Sequence, residues 1–249
     1  MRRYWGALAL GFCLLVSWGC QGGAEKEAAQ QAAALNADST WLQENKPKLD
    51  AKRGELAALQ ARAAAGEELA VQLAAAEKET MEMSDEFSSR LVAFLNADAP
   101  IAGEKPSERW AAALRMKSAE DILMAHEYIE KGGDHKRAID ILEGALAVDA
   151  ENADLKRELG QAQASRHMNQ QRFELAKKGM DEAAVRQVLG QPNPRNIKVY
   201  PDGKVAWLYR TGEGPGAAAV YFHEDKKSGK LVVYKTDFEA IKAAGAGAE

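Results

Sequence analysis

Four histidines, two cysteines, a few neighbouring carboxylates and one glycine-rich loop are the residues of this 249-residue chain whose chemistry could carry a reaction. His126, His135, His167 and His223 fall one to a segment, with no second histidine or acidic cluster at metal-ligand spacing, so neither a metal site nor a cofactor is expected. His126 and Glu127 are adjacent, and adjacent residues point to different sides of a helix. Glu82 with Asp85-Glu86, and Asp134 with Asp140, could be paired carboxylates for acid–base work. In helices this rich in charge they read instead as a solvated face. Gly212-Glu213-Gly214-Pro215-Gly216 has the glycine content of a phosphate loop, but no helix start stands behind it, Pro215 interrupts it, and the Lys-Ser/Thr ending is missing. It reads as a hairpin connection. No serine sits in a nucleophile elbow. No catalytic residue is expected, and the chain does not read as an enzyme.

One thiol remains to be explained. A Met1-Arg2-Arg3 head and an apolar run over residues 4–16 lead into Ser17-Trp18-Gly19-Cys20. The apolar run is too short to span a bilayer, and Gly19 supplies the small residue that cleavage requires. This segment resembles a bacterial lipoprotein signal, with Ser17 where the usual motif has Leu. The resemblance implies cleavage before Cys20, a diacylglyceryl thioether on its sulfur and a third acyl chain on its new amino group. Three chains make membrane attachment effectively permanent, since two already suffice. Gln21 in place of Asp resembles lipoproteins sorted to the outer membrane, which implies its periplasmic face.

Both cysteines lie in the signal or its processing site, so the mature chain has no disulfide and must hold by apolar burial. Loss of Arg2 and Arg3 with the signal lowers the formal charge from −4 to −6. Lys and Arg are interspersed with Glu and Asp rather than gathered on one face, which excludes nucleic acid as a partner.

Composition changes along the chain and divides it. Residues 1–19 are the signal, and 20–37 read as a flexible tether with Leu35 as its only large apolar residue. Residues 38–98 are rich in Ala, Glu, Lys, Leu and Gln, with Asp38-Ser39-Thr40 as N-cap material and Pro47 near the start. Leu35, Leu42, Leu49, Leu56, Ala63 and Ala70 recur every seven residues, as in a coiled coil. Three residues beyond each come Asp38, Asn45, Lys52, Leu59, Gly66 and Leu73, so the companion seam is polar for half its length and Gly66 marks a break. A long helix or helical hairpin within the monomer is favoured over a dimeric coiled coil, and the oligomeric state stays open. Met81, Met83, Phe87, Leu91, Phe94 and Leu95 fall at helical spacing as a core stripe.

Beyond a linker containing Pro100 and Pro106, residues 107–168 are helical again. Ala125 and Tyr128, a Lys131-Gly132-Gly133-Asp134 turn, then Ala138, Leu142 and Ala145 resemble one tetratricopeptide repeat. The alanines would let two helices approach closely, with Tyr128 and Leu142 filling the wedge. The turn carries one extra residue, and Ala150 stands where the repeat usually has Pro.

Residues 169–242 change to strand period. Gly179-Met180, Val185, Val188-Leu189-Gly190 and Pro192 resemble the signature of the SmpA/OmlA (BamE-like) family of the outer-membrane β-barrel assembly machinery. The resemblance implies a short helix packed on an antiparallel sheet. Asp181 replaces the family's Thr or Ser but can still cap, while Gly190 stops the helix and Pro192 prevents its resumption. Candidate strands are 197–200, 205–209, 218–222 and 231–234, with hairpin turns at Pro201-Asp202-Gly203 and Lys227-Ser228-Gly229. Residues 243–249 read as a disordered tail.

The expected fold is therefore mainly α with a C-terminal α+β domain. Most of the strand aromatics are expected to be core against the Val185/Leu189 helix, and Trp207, Tyr209 and Tyr221 are the candidates for a residual binding patch, because aromatics beside an open strand edge suit peptide docking. The expected function is a lipid-anchored scaffold contacting envelope proteins, in barrel assembly or export by resemblance. A structural spacer, and an enzyme or inhibitor-like domain acting on a peptidoglycan-linked or protein substrate, are the alternatives.

Overall fold

The structure is a computed structural model that describes residues 21–242, with side chains from residue 25. Cys20, the signal and the 243–249 tail lie outside the described residues. The fold is mainly α with a C-terminal α+β part. It divides into two compact units, Met1–Ala113 and Leu114–Glu249. The helical segment resembling a tetratricopeptide repeat and the strand-rich end thus share one unit, although the sequence pattern separates them at residue 168.

The first unit is a helical hairpin of α1 (Gln21–Ala64) and α2 (Ala70–Ala97). The heptad leucines meet the Met/Phe stripe: Leu42, Leu49, Phe87, Leu91 and Phe94 are all buried. Met81 is not part of this seam and stands 59% exposed. Trp41 stacks on Phe87 at 6.2 Å, and the Arg90 guanidinium lies 4.1 Å over the Trp41 ring. The polar companion positions bond at the rim: Lys52 Nζ donates to Glu79 Oε2 at 3.2 Å. Gly66 turns the chain at φ +100°, where a side chain would be strained, and the Glu67 N–H closes on Arg62 O at 3.2 Å.

Two expectations for this unit are corrected. The expected tether is helical from Gln21, because its Ala, Glu, Gln and Lys are strong helix formers even with residues 25–34 exposed. Asp38-Ser39-Thr40 do not cap a helix start. They lie inside α1, where Thr40 Oγ1 donates back to Asn36 O at 2.9 Å. Pro47 also falls within α1.

The Thr80 hydroxyl is buried in this unit without a hydrogen-bond partner. Thr80→Val removes the unsatisfied group at equal volume. It is expected to leave hairpin stability unchanged or raise it by up to about 1 kcal/mol, read from urea unfolding followed by circular dichroism.

A clamp closes the open end of the hairpin. Arg109, in the first turns of α3 (Glu108–Glu130), donates to Asp98 through Nε at 2.9 Å and Nη2 at 2.6 Å, and through Nη1 to Asn36 at 2.9 Å. Ser107 Oγ donates to the same carboxylate at 2.6 Å, and Trp110 Nε1 donates to Leu95 O at 3.0 Å. The Arg109 hydrogen bonds, aided by that from Ser107, hold the Asp98 carboxyl below its ordinary value against the opposing effect of burial. A depressed folded pKa means that the contribution is complete above the ordinary Asp range and is lost as pH falls through it. Asp98→Asn is therefore expected to lower hairpin stability by about 1–3 kcal/mol at neutral pH. The gap to wild type should narrow below about pH 4 in parallel thermal melts.

In the second unit, α3 packs with α4 (His135–Val148) and α5 (Ala153–Ser165). Ala125, Ala138, Leu142 and Leu155 are its most buried members, with Ala145 partly buried against them. Asp134 caps α4 and Asn152 caps α5 through backbone N–H groups. Tyr128 does not fill the wedge; it is 37% exposed with Arg137 lying over its ring. Leu142, with Ile139 and Leu155, forms the core between these helices instead.

The chain continues through α6 (Gln170–Phe173), α7 (Glu182–Leu189), a 3₁₀ turn at Pro194–Asn196, and strands β1 (Ile197–Val199), β2 (Val205–Arg210), β3 (Ala217–Glu224) and β4 (Leu231–Ile241). The four strands form one antiparallel sheet in chain order. Val205, Trp207, Tyr209, Val220, Phe222 and Val233 face Val185 and Leu189 of α7 and Phe173 of α6 as one core. Along the free side of β4, the N–H and C=O of Val233 are taken by Met180 O and Gly179 N, both at 2.8 Å. Near the end of β4, where its pairing to β3 is irregular, the Glu239 N–H donates to Asp237 Oδ1 at 3.2 Å.

Candidate binding surfaces

The motif residues around α7 position the sheet. Gly179, at φ +89°, turns the chain so that its N–H reaches β4, and Asp181 accepts the Ala184 N–H at 2.9 Å as N-cap. Met180 packs at the core margin, Val185 and Leu189 lie within it, Gly190 ends α7 at φ +83°, and Pro192 is buried just beyond. Nothing in the sequence marks Arg172 as part of this arrangement. Its guanidinium donates to Leu189 O at 2.7 Å, satisfying a carbonyl at the α7 C-terminus.

Two of the three candidate binding aromatics are core residues and offer no docking surface. Trp207 is 1% exposed, 4.6 Å from Phe222 and beneath the Arg186 guanidinium at 4.8 Å. Tyr209 is buried, its hydroxyl donates to Gly190 O at 3.1 Å, and burial raises its pKa strongly. Strand alternation explains the correction: Val205, Trp207 and Tyr209 do share a face, and that face is the one α7 covers.

Tyr221 lies on the opposite face. Its ring is 6.2 Å from that of Tyr234, His223 packs edge-on to Tyr234 at 5.4 Å, and Lys235 Nζ sits 5.2 Å over Tyr221. Partial burial pushes the Tyr221 phenol up, opposed by Lys235. Beside Tyr221, Ala206 of β2 pairs with it across the strands and Ala219 precedes it by two along β3, both fully buried. Tyr200, on the turn after β1, is 41% exposed.

The histidines hold separate places. His126 Nε2 lies 2.8 Å from Glu158 Oε2, a link between α3 and α5. That hydrogen bond is the first cause of the lowered Glu158 pKa. His135 Nδ1 is 3.4 Å from Ser165 Oγ. His167 Nε2 is buried without a hydrogen bond, 3.7 Å from Glu213. Among the described residues no three of His, Cys, Asp or Glu are placed to hold a metal ion. The carboxylate groupings are ion-paired along helices: Glu82 with Lys78, Glu86 with Arg90, and Asp140 with Lys136. In the 212–216 loop the Glu213 and Gly214 carbonyls turn inward to Arg210 Nη2, at 2.9 and 3.3 Å, the reverse of a phosphate loop's inward N–H groups. Compared with protein-family models, curated proteins and solved structures, the chain matches none.

Proposed function

We propose that the chain is a lipoprotein anchored through Cys20 to the periplasmic face of the outer membrane, where it acts as a protein-binding scaffold for envelope proteins. The observation that carries the binding role is the sheet face opposite α7, where Tyr221, Tyr234 and His223 lie among lysines. Amphipathic rings on a rigid sheet provide contact area at low entropic cost. The anchor rests on the sequence at Gly19-Cys20, and among the described residues no helix is long and apolar enough to cross a membrane. The resemblance around Gly179-Met180 and Gly190-Gln191-Pro192 makes barrel-assembly or export components the partners to test first. A spacer role is the second reading: α1 begins directly after the acylation site and runs about 22 Å, at 1.5 Å per residue, from Gln21 to Asn36, where the chain returning from α2 is tied by Arg109.

Incorporation of a clickable fatty acid into wild type and Cys20→Ala tests the anchor. Labelling and membrane retention should both be lost in the variant, and retention without label overturns the anchor. A photo-crosslinking residue at Tyr221 or Tyr234 in intact cells tests the scaffold. Adducts with envelope proteins that depend on Cys20 are expected, and adducts from neither position overturn binding through this face. If an unrelated helix of equal length replaces residues 38–96 without loss of function, that segment is a spacer.

A further inference from the structure

A cavity of about 210 Å³ opens within the second unit where β2 extends past the end of β1. Its wall combines the start of α4, residues 165–168 at the end of α5, and the segment from Gln191 to Asn196. The 165–168 segment is fixed there because the Met168 N–H donates to Arg210 O at 2.7 Å. Five residues on the wall carry cationic side chains: Lys136, Arg166, Arg172, Arg195 and Arg210. The one carboxylate on it is Asp134, which is engaged by the Arg137 N–H at 3.1 Å. Lys136 and Arg166 have carboxylate partners, Asp140 at 2.7 Å and Glu213 at 2.9 Å. Arg172, Arg195 and Arg210 have none among the described residues.

Backbone carbonyls hold two of these three in place: Leu189 O for Arg172, and Glu213 O with Gly214 O for Arg210. Carbonyls orient a guanidinium but leave its charge uncancelled. The Arg195 side chain makes no hydrogen bond or ion pair among the described residues. His135, also on the wall, has its pKa lowered first by burial and then by the nearby Arg172, so it adds little charge at neutral pH. In a chain of net charge −4, three unneutralised arginines around one small cavity form a local positive site. Guanidinium groups match the geometry of a tetrahedral oxyanion in bidentate fashion.

We propose that this cavity binds a small phosphate-type oxyanion, free or as a monoester headgroup, through Arg172, Arg195 and Arg210. The proposal is independent of the scaffold reading. Isothermal titration of the full chain in neutral detergent, in phosphate-free buffer at low salt, tests it with inorganic phosphate and with dihexanoyl phosphatidic acid. One saturable site is expected, with a Kd of about 0.1–1 mM for phosphate. Arg195→Gln and Arg210→Gln should each weaken it about ten- to hundredfold, while Lys78→Gln on α2 leaves it unchanged. Arg195 holds no structural bond, so Arg195→Gln decides the matter even if Arg210→Gln disturbs folding. Tenfold tighter, Arg195-dependent binding of the short-chain lipid assigns the anion to a headgroup; equal or weaker lipid binding assigns it to a free ion. Absence of a saturable site for either probe, or binding that survives Arg195→Gln, overturns the proposal.

Discussion

Gly133→Ala is expected to disrupt the second unit, and more severely than an exposed turn position would suggest. Gly133 adopts φ +57°, which costs an L residue about 1–2 kcal/mol. Crowding adds more: an added Cβ would lie 2.3 Å from Gln191 O and 2.7 Å from both Asn193 N and Pro192 C. These are backbone atoms, so the α3–α4 turn and the segment following α7 must separate, at a further cost of about 1–3 kcal/mol. Urea unfolding of the second unit should move to markedly lower midpoint, with amide shifts spreading through both contacting segments. Gly144→Ala supplies the contrast. Gly144 lies within α4 with nothing within 4 Å of an added Cβ, and alanine there should stabilise by about 0.5–1 kcal/mol. If Gly133→Ala is as stable as wild type, the close contact with the Gln191–Pro192–Asn193 backbone is wrong.

The second large effect is expected at Trp207. Its ring is enclosed by Phe222, the α7 core residues and the Arg186 guanidinium, so Trp207→Ala should cost about 3–5 kcal/mol. That is a large part of what a domain of this kind has in total. Near-ultraviolet circular dichroism of the second unit should collapse, while Trp207→Phe retains a folded core at intermediate stability. The same pair tests the correction to the binding surface. Loss of partner crosslinks from Tyr221 should follow unfolding in Trp207→Ala and be absent in Trp207→Phe. Loss in both variants would place Trp207 in the contact itself.

Much of the architecture could be read from spacing alone. The heptad of Leu42 and Leu49, the break at Gly66 and the strand alternation around Trp207 each depend on local pattern, and each corresponds to an element of the fold. Expectations failed where an isolated residue type was given weight over its context. Asp38-Ser39-Thr40 has the composition of a cap, yet the helix formers before it extend α1 back to Gln21. For Trp207 and Tyr209 the expectation that most strand aromatics pack on the Val185/Leu189 helix holds, while the candidate binding role does not, since alternation groups them on one face without saying which aromatics stay outside. The arginine cavity was invisible for a different reason. Arg172, Arg195 and Arg210 come from three separate segments, so no window of sequence displays them together. Gly133 looked like a surplus residue in a repeat turn. Its requirement for absent side-chain volume exists only once Gln191 to Asn193 is folded against it.

The free side of β4 bears on how copies of this chain would meet if Cys20 anchors them to a lipid surface as proposed. Anchored molecules diffuse in two dimensions and collide with their strands held at similar heights, conditions that favour sheet growth from one copy to the next. Here the Val233 N–H, a donor on that side, is already spent within the same molecule on Met180 O. A second copy approaching this side therefore finds the Val233 N–H and C=O already engaged.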